Sequence, residues 1–241
     1  MGRRNQRVAI VGAGVGGLAA AARLAHQGFE VEVFEKGAGP GGRCGQLHVG
    51  GFTFDTGPTL LLMPEVLHET FAVTGRRLED YLQLSRCDPN YRLHFRDGSD
   101  IAFSTDLVWM GRELERFEPG SFRRYLEFLA LGREQYQTSL ERFVGRNFDS
   151  ALEFLAPATL RKVFEIKAHR RMYAEVSKYF RDERLRAALT FQTMYLGISP
   201  YESPAVYGLL PFTELAVGIW FPKGGMYAIP LALERLAGEL G

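Results

Sequence analysis

Arg7-Val8-Ala9-Ile10-Val11-Gly12-Ala13-Gly14-Val15-Gly16-Gly17 is followed, after an Ala-rich run, by Glu30-Val31-Glu32-Val33-Phe34-Glu35. The first five residues are mostly β-branched and short enough for a buried parallel strand. Gly12, Gly14 and Gly17 then stand in the GxGxxG spacing. Leu18 to Gln27 reads as a helix closed by Gly28, and Glu30 to Phe34 as a second strand ending at Glu35. Strand, glycine turn, helix, strand and acid within about 30 residues predict a dinucleotide-binding βαβ unit. Gly12 allows the tight turn, Gly14 admits a pyrophosphate to the backbone, and Gly17 lets helix and sheet pack closely. The helix start around Gly16 offers unpaired N–H groups and a positive dipole end to phosphates. Glu35 lies where a carboxylate accepts hydrogen bonds from both ribose hydroxyls and repels a 2′-phosphate, which argues against NADP.

The next residues separate flavin from nicotinamide chemistry. Lys36-Gly37-Ala38-Gly39-Pro40-Gly41-Gly42-Arg43 follows the acid directly. A nicotinamide-binding unit would turn into its second helix there. A second glycine-rich approach ending in a cation instead suits the FAD pyrophosphate, as in glutathione-reductase-like folds. Gly41, Gly42, Arg43 and Lys36 are therefore candidate FAD contacts beside Gly12, Gly14, Gly16, Gly17 and Glu35.

Gly51-Phe52-Thr53-Phe54-Asp55-Thr56-Gly57-Pro58-Thr59 comes next, and Thr213-Glu214-Leu215-Ala216 leads into Gly218-Ile219-Trp220-Phe221-Pro222-Lys223-Gly224-Gly225-Met226. The order GxGxxGG, FEK, GPGGR, GFTFDTGPT and this later block resembles the phytoene desaturase family of carotenoid-forming flavoenzymes, bacterial and fungal type. The early motifs are also similar to those of retinol saturase and carotene isomerase. The resemblance implies FAD, a polyene lipid substrate, and Asp55, Gly57 and Pro58 beside the cofactor. It implies Trp220 and Phe221 along an apolar substrate tunnel and Asp149 as the acid to test for catalysis. Members of that family are about twice this length, so the resemblance implies an N-terminal half. The remainder, in the same chain or separately encoded, would complete the substrate domain and close over the flavin. A non-catalytic FAD-binding fragment is the contrasting reading.

Composition bounds these expectations. Over 241 residues, Lys+Arg 29 against Asp+Glu 28 leaves a formal charge of +1, which excludes a nucleic-acid binder by bulk charge. Cys44 and Cys87 form no disulfide framework and suit a reducing, cytoplasmic setting. Arg3, Arg4 and Arg7 before an apolar run resemble a signal peptide, but four glycines inside that run argue against one. The five histidines show no metal-ligand spacing. Cys44 beside Arg43 is either a small packing residue or a thiol of lowered pKa. Residues 161–186 place Met172, Val176, Tyr179 and Phe180 among basic residues, either as an ordinary core-facing helix or as a membrane-apposed surface suited to a peripheral protein.

The expected fold is α/β, with a mixed sheet of Rossmann-like topology and a largely helical insertion. Strands are predicted near 7–11, 30–34, 46–49, 52–55, 91–95 and 101–103, with Asp97-Gly98 turning the last pair. Helices are predicted near 15–27, 64–72, 121–142, 157–180, 182–195 and 226–240. Residues 1–75 and a return segment, 219–241, belong to the FAD-binding domain, and 76–218 to a partial substrate domain.

Overall fold

The computed structural model describes residues 6–144, 150 and 157–241. β1 (Arg7–Val11), α1 (Val15–His26) and β2 (Glu30–Phe34) open the chain, followed by the hairpin β3 (Gln46–Val49) and β4 (Phe52–Asp55). Next come α2 (Pro64–Ala72), β5 (Leu84–Arg86), the hairpin β6 (Tyr91–His94) and β7 (Asp100–Phe103), α3 (Leu107–Phe117) and α4 (Ser121–Ser139). The helices α5 (Pro157–Glu165), α6 (Met172–Val176), α7 (Glu183–Ala188) and α8 (Leu209–Phe212) precede β8 (Trp220–Pro222) and α9 (Ala228–Leu240).

The chain forms two compact units, one of Met1–Cys87 with Ile219–Gly241 and one of Asp88–Gly218. In the first, β1 and β2 pair in parallel, with Val8 opposite Val31 and Val11 opposite Phe34. A parallel pair requires a crossover, and α1 supplies it. Alanines on α1 let Leu18 and Ala22 pack closely with Ile229, Leu233 and Leu236 of α9. β5 pairs antiparallel with β8, Arg86 opposite Trp220. That pairing keeps residues 76–87 in the first unit, beyond the expected boundary at 75.

The second unit is built on the β6–β7 hairpin and a helical core. Gly98 takes φ +83° and Ser99 donates its backbone N–H to Asp97 Oδ1 at 3.0 Å, which closes the turn. Ile101, Phe103, Met110, Leu114, Tyr125, Phe128, Met172, Val176 and Phe180 share one buried cluster.

Several expectations are corrected. Among the described residues the strands form separate two-stranded pairs, not one mixed sheet. The helix expected over 157–180 is broken. Lys167 takes φ +60°, and the Met172 N–H and Ala205 N–H bond the carbonyls of Ser203 and Arg170 across to another segment. The helix expected over 182–195 stops at Ala188, and Phe191–Leu196 continues as a 3₁₀ turn. The apolar residues suggested for a lipid-facing patch, Met172, Val176 and Phe180, lie in the core. Arg170 pairs with Glu175 and Arg184 with Asp97 and Asp182, so these cations are already partnered. Among the described residues no helix is long and apolar enough to cross a membrane.

Candidate nucleotide-binding site

The glycines after β1 divide by what demands them. Gly12 takes φ +100° and donates its N–H to the Phe34 carbonyl at 2.7 Å, a left-handed turn that only glycine adopts without strain. A Cβ on Gly17 would sit 2.2 Å from the Gly12 oxygen, so close packing of helix on turn forbids one. Gly14 differs. Its φ of −70° and ψ of 169° suit any residue, and a Cβ there meets nothing within 4 Å. Gly16 also faces open space. Neither is required by the chain's own packing, so the backbone there is open to an external group. Gly14 caps α1 without any side-chain hydrogen bond, so among the described residues no cap side chain serves the first-turn amides.

The open space in front of these glycines is a cavity of about 770 Å³, bordered by Gly14, Gly16, Gly42, Arg43, Thr56, Gly57 and Pro58 among others. The second glycine loop meets the first directly. Gly41 donates its N–H to the Ala13 carbonyl at 2.8 Å and forms a parallel bridge with Gly14. Gly41 and Gly42 take φ +110° and +56°. Gly57 is a packing glycine, since a Cβ there would lie 1.9 Å from the Arg43 oxygen. Arg43 is exposed and, among the described residues, forms no ion pair, so its charge is available to an anion in the cavity. Lys36 is exposed as well.

Glu35 plays a part the sequence does not reveal. Its Oε2 accepts the Ala13 N–H at 2.7 Å and its Oε1 accepts the Gly37 N–H at 2.7 Å. The Gly37 and Ala13 amides hold this carboxyl below the ordinary range, with Lys36 adding a smaller pull. Glu35 therefore ties the two glycine loops to the end of β2 before any ribose is considered. It borders a separate cavity of about 420 Å³, with Val33, Gly37, Pro40 and Glu234 among its neighbours. The acid and the glycine cradle thus border two separate cavities.

Three other expected residues have the following surroundings. Asp55 directs its carboxylate to the backbone: Oδ2 accepts the Met226 N–H at 2.8 Å and Oδ1 the Tyr227 N–H at 3.3 Å. Trp220 and Phe221 are neighbours on β8, so they project to opposite faces and one tunnel wall cannot hold both. Burial pushes the Cys44 thiol up, with the Asp55 charge adding to it, so Arg43 does not activate it. Cys44 Sγ donates to the Met226 carbonyl at 3.3 Å, as a packing residue would. Asp149 lies outside the described residues. Tyr227 was missed by the sequence reading. Its ring lies against the second loop, with the hydroxyl 3.1 Å from a Cβ built on Gly39 and Cε2 3.1 Å from one on Gly41. An aromatic directly after Gly-Gly-Met was the available signal.

Known proteins are similar to this chain along its length. The chain is 69% identical over 238 residues to a zeta-carotene-forming phytoene desaturase from Myxococcus xanthus, covering 99% of this chain and 46% of that protein. It is 42% identical over 235 residues to a phytoene desaturase from Phycomyces blakesleeanus, covering 97% of this chain and 40% of that protein. The chain thus spans about half the length of the curated relatives it matches. A solved putrescine oxidase variant shares the fold at 17% identity, with a TM-score of 0.61 over 98% of this chain and 50% of that one. Residues 15–241 match the flavin containing amine oxidoreductases. With the glycine cradle, the acid-tied second loop and these relatives agreeing, the chain belongs to the flavin containing amine oxidoreductase family.

Proposed function

We propose that this chain is the cofactor-binding half of an FAD-dependent carotenoid desaturase acting on a phytoene-like polyene. The observation that carries the cofactor reading is the uncommitted backbone of Gly14 and Gly16 over an open cavity. The substrate reading rests on the 69% identity to a zeta-carotene-forming phytoene desaturase.

The residues present fit FAD. Gly14, Gly16 and the α1 amides take the pyrophosphate, Gly42 and Arg43 approach it from the second loop, and Lys36 adds positive charge nearby. Glu35, kept ionised by its two backbone donors, takes the ribose hydroxyls on its remaining lone pairs. Gly12 and Gly17 hold the turn in shape, and Thr56 and Pro58 form the cavity's far border. FAD, when bound, supplies the two-electron acceptor for the hydride lost when a C–C single bond becomes a double bond. We assign the accompanying proton to Asp149, on the family resemblance alone. The substrate dissolves in bilayers, so the enzyme works as a peripheral protein at the cytoplasmic membrane face. The exposed Met194, Tyr195 and Leu196 of the second unit are our choice of lipid-facing residues.

Because the relatives are about twice as long, turnover requires a second half in the same or another polypeptide. The test is to supply the chain with and without the matching half of a relative, in liposomes carrying phytoene and FAD. Conjugated products, read by their absorption, are expected only with both halves. Their absence from the complete assembly, with flavin bound, would overturn the substrate reading.

A further inference from the structure

Four of the seven residues of the loop Gly37–Arg43 are glycines. A loop of that composition is costly to order when a ligand arrives. Its backing comes from a segment some 180 residues later in the sequence. Lys223-Gly224-Gly225-Met226-Tyr227 turns on two left-handed glycines, Gly224 at φ +93° and Gly225 at +92°. The Asp55 carboxylate accepts the Met226 and Tyr227 amides, and Gln46 Nε2 donates to its Oδ1 at 3.4 Å. A Cβ on Gly225 would lie 2.6 Å from Asp55 Oδ2, so the turn is pressed directly onto the carboxylate. That grip aims the Tyr227 ring at the back of Gly39 and Gly41. Gly41 in turn is bonded to Ala13 and bridged to Gly14, the cradle itself.

We infer that Asp55 and Tyr227 are positioning residues for the flavin pyrophosphate loop: Asp55 fixes the return turn, and Tyr227 holds the second glycine loop against the first. The inference rests on the FAD reading above. Neither residue touches the cofactor in this scheme. Asp55, one of the expected FAD contacts, acts through backbone amides and an aromatic ring.

Tyr227→Ala, Tyr227→Phe, Asp55→Ala and Asp55→Asn are to be compared with the parent chain. Two readouts are needed: amide hydrogen exchange across residues 37–44, and affinity for FAD and for ADP. Tyr227→Ala should exchange faster at 37–44 and bind both ligands about tenfold more weakly or worse, with protection of β7 and α4 unchanged. Tyr227→Phe keeps the ring on Gly41 and should match the parent. Asp55→Ala should reproduce Tyr227→Ala, and Asp55→Asn, which keeps one acceptor oxygen, should fall between. Unchanged loop exchange and ligand affinity in Tyr227→Ala would overturn the inference while leaving the FAD reading in place. A parent chain that binds neither FAD nor ADP would overturn the FAD reading, and the inference with it. Loss of protection throughout both units in Tyr227→Ala, with Asp55→Ala retaining parental affinity, would also overturn it.

Discussion

At the scale of single residues, the glycines make separable predictions. Gly14→Ala adds a methyl group to open space at an ordinary backbone conformation. Its thermal midpoint should stay at the parental value while FAD and ADP affinity falls at least tenfold. Gly17→Ala should do the reverse, because its Cβ meets the Gly12 oxygen at 2.2 Å. Overpacking of that kind costs about 1–3 kcal/mol, or several degrees in the unfolding midpoint. Parental binding by Gly14→Ala would remove the cradle. The GxGxxG spacing was legible in the sequence alone, yet which glycine serves the ligand and which the fold shows only in three dimensions. Glu35 shows the same limit. Its position announced a ribose acceptor, while its bonds to Ala13 and Gly37 depend on loop geometry that no spacing encodes. Those bonds set the direction of a pH effect. A carboxyl held below its ordinary range contributes stability above that range and loses it as pH falls through the folded value. Glu35→Gln should therefore flatten the acid limb of the midpoint-versus-pH curve, and an unchanged acid limb would contradict the tie.

Among the elements, the second unit carries the opposite case. Glu214 sits fully buried on the turn after α8. Tyr91 of β6 and Gln192 of the 3₁₀ turn both donate to its Oε2, at 3.1 and 3.0 Å. Asn90 Nδ2 donates to its backbone carbonyl at 2.6 Å. Burial raises the carboxyl above its ordinary 4.5, against smaller downward pulls from Gln192, Tyr195 and Tyr91. The folded protein thus holds this proton more tightly than the unfolded chain. That stabilisation is complete below the ordinary glutamate value and is lost as pH rises through the folded one. Glu214→Gln keeps an acceptor for Tyr91 and Gln192 and cannot ionise. The variant should gain on the parent as pH climbs from the ordinary glutamate range toward neutrality, followed by thermal midpoints at each pH. A constant gap between the two would mean that Glu214 does not titrate in this window.

The elements also show why some were legible and others not. β1, α1 and β2 carry their period and caps within a short stretch, and both hairpins carry their own turns. β5 and β8 are three residues each, and their pairing joins positions far apart in sequence. No local pattern announces such a strand. α3 did leave a signal: Asp106 accepts from the Val108 and Trp109 amides as an N-cap, ahead of Met110 and Leu114 at helical spacing. The break at Lys167 left none, because the backbone of 170–172 turns away to bond Ser203 and Ala205.

At the scale of the whole molecule, the first unit exposes surface that a parallel sheet normally buries on both faces. Val11 is 90% exposed and Phe34 55%, side by side at the ends of β1 and β2. On the β3–β4 hairpin, Leu47, Val49, Phe52 and Phe54 share one face and are 53%, 56%, 69% and 51% exposed. Among the described residues each of the four strands has one hydrogen-bonded neighbour. Apolar area with free strand edges is a template for further pairing. Under the proposed function the occupant is a second half, since this chain covers 46% of the Myxococcus xanthus protein. Adding the matching second half of that protein should slow amide exchange along β1 and β2 and lower binding of a hydrophobic dye. Val11→Ser with Phe34→Ser should lower dye binding by the isolated chain, since both side chains face water there, and should weaken association with the second half about tenfold or more. A second half that associates with the chain yet leaves β1, β2 and the hairpin exchanging at their isolated rates would show that it docks elsewhere.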